Sequence, residues 1–220
     1  MQVTVIPATA ASIRATRTPE PAEREHRRRL LDAMATSCAS KGFAATTIAD
    51  LAADARVSKR TFYEHFESKA DCFIALYESA SARALSVLKE QVDVSRDWHE
   101  QVERALSAYF QALAISPILM RTLFVEILGL GAEGLAARRR VNQELADFIV
   151  AVSRQCPGMK PEATVTESDA TGLVGALNEL ILKAIEDDRV DHLSELIAPS
   201  ARLVRIVIDG ATRLDSERLV

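Results

Sequence analysis

An all-α fold is predicted, and three observations predict it. Long stretches place apolar residues at the 3.6-residue period of a helix, and no run sustains the alternation of a strand. Only 8 glycines and 7 prolines occur in 220 residues, and they fall between the periodic stretches. Hydroxyl residues that cap helices precede the apolar runs, twice with a carboxylate three positions later, at Thr47–Asp50 and Ser68–Asp71.

The elements follow in order. Residues 1–20 have no persistent period and end in Pro19-Glu20-Pro21, so they read as a flexible arm, with Arg14 and Arg17 as its cations. A first helix should begin at Pro21, with Glu23 and Glu25 in its first turn, an inward stripe of Leu30, Leu31, Met34, Ala35 and Cys38, and an end at Gly42. Arg27, Arg28 and Arg29 lie on this helix as either a solvated face or a phosphate contact. Thr47 should cap a second helix whose residues Ile48, Leu51, Ala52 and Ala55 share one face. Ser58 is the next cap, so Ala55-Arg56-Val57 has to be a tight turn between two short helices, a helix-turn-helix. On the third helix Phe62 and Phe66 point inward and leave Lys59, Arg60, Thr61, Tyr63, Glu64 and His65 outside. These are cations and hydrogen-bonding groups on a helix of the right length for a major groove.

Ser68 starts a long fourth helix with the apolar face Phe73, Leu76, Tyr77, Ala80, Ala84, Val87 and Leu88. Further helices are placed at 98–115, 117–129, 132–155, 167–187 and 191–209, separated by Pro117, Gly129-Leu130-Gly131, Pro157-Gly158 and Pro161. The runs 173–185 and 203–208 are apolar over more than one face, so each needs two neighbours.

The stretch from Leu30 to Leu76 resembles the TetR family of bacterial transcriptional regulators. The residues that carry the resemblance are Gly42-Phe43, Thr46-Thr47-Ile48-Ala49-Asp50-Leu51-Ala52, Val57-Ser58, Thr61-Phe62-Tyr63-Glu64-His65-Phe66 and Ser68-Lys69. Arg56 departs from the pattern, since the family usually has glycine there in a left-handed turn, which costs a non-glycine residue on the order of 1 kcal/mol. The resemblance implies three segments: the arm at 1–20, a DNA-binding domain at 21–68 and an effector-binding and dimerisation domain at 69–220. It implies a ligand-responsive homodimeric repressor that reads a palindromic operator on double-stranded DNA and is released by a small apolar effector.

The DNA-binding set is then Thr47, Ser58, Lys59, Arg60, Thr61, Tyr63, His65 and Lys69, with Tyr63, His65 and Lys69 at positions that meet backbone phosphates in similar regulators. Leu173, Leu177, Leu180, Ile181, Leu203 and Val207 are assigned to the dimer interface, where Gly172, Gly175 and Ala176 permit close approach. Trp98, Tyr109, Phe110, Met120, Phe124 and Phe148 line either a pocket or a core, and the polar groups Glu126 and Asn178 either orient a ligand or bond within the protein. Ala112 and Gly129 are the positions where a larger side chain is expected to fill that pocket.

Charge divides along the chain. Residues 1–70 carry 11 Lys+Arg against 8 Asp+Glu, whereas residues 71–220 carry 16 against 23, as suits an amino-terminal module that meets phosphates. Cys38, Cys72 and Cys156 are odd in number and widely spaced, and read as small buried hydrophobes in a reducing compartment. No apolar run reaches the roughly 18–20 residues that cross a bilayer, and the amino terminus lacks a signal pattern, so a cytoplasmic location without membrane partners is expected. No catalytic motif, metal spacing or cofactor loop is found, so catalysis, a metal and a cofactor are not expected. The competing classes are an all-helical small-molecule-binding or catalytic protein without DNA binding, and a DNA-binding regulator controlled by a partner protein.

Overall fold

The computed structural model describes residues 21–93, 95–155 and 165–217, all of them helix or connection. The arm 1–20 with Arg14 and Arg17, and Cys156, lie outside the described residues. The helices are α1 (Pro21–Ala45), α2 (Ile48–Asp54), α3 (Lys59–His65), α4 (Lys69–Glu90), α5 (Trp98–Ala114), α6 (Pro117–Gly129), α7 (Gly131–Ser153), α8 (Glu167–Glu186) and α9 (Ile197–Glu217), with a 3-10 helix over Val190–Leu196.

Local chemistry accounts for the boundaries. Gly42 adopts φ 80, ψ 165 and breaks the path of α1 before a last turn to Ala45. Thr47 and Asp50 form a reciprocal capping box at the start of α2, and the Thr166–Asp169 pair repeats it at α8. At the end of α2 the Val57 amide donates to the Ala52 carbonyl (2.9 Å) and the Arg56 amide to that of Ala53 (3.0 Å), which is a Schellman closure with Arg56 in the left-handed position. Arg56 has φ 54, so the turn keeps the left-handed geometry despite lacking glycine. Because the Arg56 side chain is exposed, Arg56→Gly is expected to stabilise the protein by about 1 kcal/mol, read as a higher urea midpoint. An unchanged midpoint would mean that the arginine side chain offsets its own backbone strain.

The last expected helix, 191–209, is corrected. The 3-10 helix covers its first residues and α9 begins at Ile197, which puts Pro199 in the first turn of a new helix. Inside a continuous helix that proline would remove a hydrogen bond and clash with the preceding turn.

The amino-terminal helices pack on Leu30, Met34, Leu51, Phe62, Phe66 and Phe73, and the same cluster continues into Leu123 and Ile127 of α6 and Ala137 and Val141 of α7. Here α7 approaches α6 at Gly134, where an added Cβ would lie 2.2 Å from the Ile127 carbonyl oxygen, so no side chain fits. A bond of 2.6 Å between Arg140 and Glu78 joins α7 to α4. The remaining apolar side chains form two clusters, one on Leu106, Phe110, Ile181 and Leu193, the other on Ala146, Val165, Val174 and Ile208. Among the described residues no single helix is long and apolar enough to cross a membrane.

Candidate nucleic-acid interface and interior cavity

The short α3 is held from below. Phe62 is 0% exposed and its ring sits 5.7 Å from that of Phe66, so the opposite face of the helix is forced outward. Ser58 caps the helix by accepting from the Thr61 amide (3.0 Å), and its hydroxyl lies 3.0 Å from that of Thr61. Lys59 is exposed with no ion pair among the described residues, and Arg60 is 90% exposed with a contact to Glu64 (3.2 Å). An exposed pair of this kind holds the guanidinium by only a few tenths of a kcal/mol, so a phosphate or base edge displaces it readily. Tyr63 is 58% exposed.

The other three residues of the DNA-binding set are more constrained. His65 is half-buried with its ring 6.2 Å from that of His26, and burial first, His26 second, hold its imidazole below the usual histidine range. At neutral pH it is therefore an uncharged donor and not a cation. Lys69 reaches back to the Phe43 carbonyl (2.8 Å) and the Ala44 carbonyl (3.3 Å) and lies over the Phe43 ring, which pins the last turn of α1 and leaves one of its three protons unassigned. Thr47 is exposed at the start of α2 and donates to Asp50 (2.7 Å); Lys41 and Thr47 together lower the Asp50 carboxyl to about 2. Of the arginine run, Arg28 is bound to Glu25 and Asp32 (both 2.7 Å), and Arg27 stands over the Phe66 ring.

Burial pushes the Cys38 and Cys72 thiols up to about 11 and about 12, so both are neutral core groups. No three His, Cys, Asp or Glu residues among those described are grouped to hold a metal.

In the carboxy-terminal part a cavity of about 140 Å³ lies between α4, α5, α7, α8 and α9. Trp98, Tyr109, Phe148 and Asn178 line it. Leu177, assigned from sequence to a dimer interface, lines it too. Phe110 and Met120 are instead buried in the neighbouring core, and Phe124 borders a separate void of about 10 Å³ with Tyr77, Arg138 and Asn178. Glu126 is half-buried on α6, close enough to Cys38 of α1 to oppose its ionisation, so it belongs to the junction with the amino-terminal helices. An added Cβ at Gly129 meets nothing, which rules it out as a position for filling the cavity, and Ala112 is absent from the wall. Sequence reasoning missed Leu88, Val102, Ile149, Val174 and Val204, whose apolar spacing is the same whether a helix lines a hole or a core.

Of the expected interface residues, Leu173 (3% exposed) and Ile181 (1%) point into the subunit, and Leu180, Leu203 and Val207 are half-buried. The outward faces carry Gly172, Gly175, Glu179 and Lys183 on α8 and Ile206 on α9.

Comparison with known proteins agrees with this geometry. Residues 30–76 match the family described as bacterial regulatory proteins, tetR family. The fold is similar to that of a TetR-family transcriptional regulator from Streptomyces coelicolor (TM-score 0.67, 16% identity, covering 88% of this chain and 85% of that one). It is also similar to the fatty acid degradation regulator FadR from Bacillus halodurans (0.63, 20%, 86% and 96%) and to a TetR regulator from Rhodococcus sp. (0.65, 17%, 84% and 97%). No curated protein matches the chain. The helix-turn-helix lies inside the matched residues, so residues 30–76 carry the amino-terminal domain of the tetR family of bacterial regulatory proteins, and the fold of the whole chain is similar to that of such regulators.

Proposed function

We propose that this chain is a homodimeric repressor that leaves a palindromic operator when a small apolar molecule enters its cavity. The observation that carries the reading is the reach of α4. Its first turns place Cys72 and Phe73 in the core that supports α3, and its last turn places Leu88 in the cavity wall. A ligand that moves the far end of α4 therefore acts on the helix that follows the recognition helix directly. A ligand can shift the equilibrium only by its difference in affinity for the two states; about 3 kcal/mol corresponds to roughly a hundredfold loss of operator affinity. Exposed apolar and small residues on α8 and α9 support the dimer. A regulator answering to a protein partner remains the competing reading, favoured by the exposed Ile118, Val125 and Leu128 on α6.

Fluorescence anisotropy on duplexes from upstream of its own gene tests the DNA reading. Binding at least 10³-fold tighter than to unrelated DNA is expected, and equal affinity for both would refute it. Lys59→Ala and Arg60→Ala are expected to change the preference among operator variants by about 1–3 kcal/mol, because both side chains are exposed on the early part of α3 and Arg60 is held only by its exposed pair with Glu64. Tyr63→Phe and His65→Gln should weaken all duplexes alike, as lost phosphate contacts do. Uniform weakening by the Lys59 and Arg60 variants would remove their base-reading role.

A further inference from the structure

The effector cavity also carries information about what enters it. No Asp, Glu, Lys, Arg or His stands among the described residues of its wall. A carboxylate, phosphate or ammonium taken inside would lose its hydration with no counter-charge to replace it. Arg138 lies in the separate small void on the other side of Asn178, a space of about 10 Å³ that holds one water at most.

Three polar side chains of the wall are already engaged. Gln101 accepts from the Asp93 amide (2.9 Å) and donates to the Arg96 carbonyl (3.0 Å). Ser153 donates to the Val150 carbonyl (2.9 Å), and Gln155 to that of Ala151 (3.3 Å). Two groups differ. The Tyr109 hydroxyl has no hydrogen-bond partner among the described residues, although burial followed by the neighbouring Tyr77 pushes its phenol well above the usual range. Asn178 is 9% exposed and its side-chain Nδ2 donates to Oδ1 of Asn142 (3.1 Å), which leaves its own Oδ1 without a donor among the described residues. Tyr109 of α5 and Asn178 of α8 both line the cavity. Both groups stand in the cavity wall, where a ligand's hydroxyl can reach them.

The volume of about 140 Å³ is near that of an engineered apolar cavity that accepts benzene, and the rings of Trp98, Tyr109 and Phe148 stand in the wall. We infer that the cavity takes a compact, uncharged, phenol-type molecule, its ring against the aromatic wall and its hydroxyl bonded to that of Tyr109. The inference rests on the effector reading above and narrows it to one class of ligand.

Trp98 is the chain's one tryptophan and lies in the wall, so its fluorescence in the full-length protein reports occupancy. Three probes of one shape separate the contributions: 4-ethylphenol, ethylbenzene and 4-ethylbenzoate, titrated near neutral pH. 4-Ethylphenol is expected to give a saturable change and to bind about tenfold tighter than ethylbenzene, the value of one hydrogen bond in a buried site, and tighter still than the carboxylate. Tyr109→Phe should bring 4-ethylphenol down toward ethylbenzene and leave ethylbenzene unchanged. Equal or tighter binding of 4-ethylbenzoate, an unchanged preference in Tyr109→Phe, or no saturable response to any probe would each overturn the inference. Operator affinity measured alongside tests the effector reading separately. If 4-ethylphenol binds as expected and the operator complex is unaffected, the ligand class stands and induction by it falls.

Discussion

Phe62→Ala is expected to cost about 3–5 kcal/mol of unfolding free energy and to remove operator binding with it. The side chain is fully buried, and it anchors a helix of only seven residues. An isolated helix of that length is unstable in water, since nucleation is unfavourable and few backbone bonds follow. The Ser58 cap contributes about 1 kcal/mol, too little to hold α3 without its anchor. The loss is a large share of the roughly 5–15 kcal/mol that keeps a typical domain folded. It also reaches beyond α3, because the cluster around Phe62 extends through Phe73 to Ile127 and Ala137. Phe62→Leu, which keeps most of the apolar volume, should cost clearly less. Urea unfolding and anisotropy on the same samples provide the check: a loss under about 1 kcal/mol with operator affinity intact would show that α3 is held by something other than this ring.

His65, at the end of the same helix, gives a milder acid sensitivity. His65 is held below its ordinary range by burial, so its charged form is disfavoured in the folded protein. Above the unfolded value near 6.5 both states carry the neutral ring and the group contributes no pH dependence. As pH falls below that value the unfolded chain takes up the proton first, and stability declines. His65→Gln should flatten that decline in a thermal-melt series between neutral pH and about pH 5, and an unchanged series would assign the decline to another group.

Where local chemistry decides a feature, the sequence was readable. The Thr47–Asp50 capping box, the Ser58 and Ser68 caps and the Arg56 turn are set by neighbours within a few residues, and the structure has each of them. Pro117 at the start of α6 and the limits of α5 through α8 are punctuated in the same local way. What lay opposite each face was not readable. The run 173–185 is apolar enough to face either way, and only the packed neighbours decide that Leu173 and Ile181 turn inward while Gly172 and Gly175 turn outward. Glu126 had the same ambiguity: a carboxylate in an apolar helix can face a ligand, water or the next helix, and α1 is what stands there. The contact between Lys69 and the Phe43 carbonyl spans 26 residues, so no local pattern announces it. The close approach at Gly134 was hidden for the same reason, because it depends on the path of α6.

The proposed dimer carries the second large expected effect, and the outward faces of α8 and α9 determine how to test it. Leu177→Asp, the obvious choice from sequence, would place a carboxylate in the cavity wall and confound assembly with ligand binding. Ile206 is 60% exposed on α9, so Ile206→Asp leaves the subunit interior untouched. Gly175 offers an independent probe on α8: an added Cβ there meets nothing within the subunit, so Gly175→Leu is accommodated by the monomer and obstructs only a closely packed partner. In sedimentation the wild type is expected at roughly twice 24.1 kDa and both variants near 24.1 kDa. Operator affinity should fall by at least about a hundredfold in each, because a dimer engages its second half-site at high effective concentration and a monomer has no such advantage. Thermal melts should show little loss for either subunit fold beyond the contribution of assembly. Two variants that stay dimeric and operator-bound would move the interface away from α8 and α9, and the exposed Ile118, Val125 and Leu128 on α6 would be the surface left to carry it.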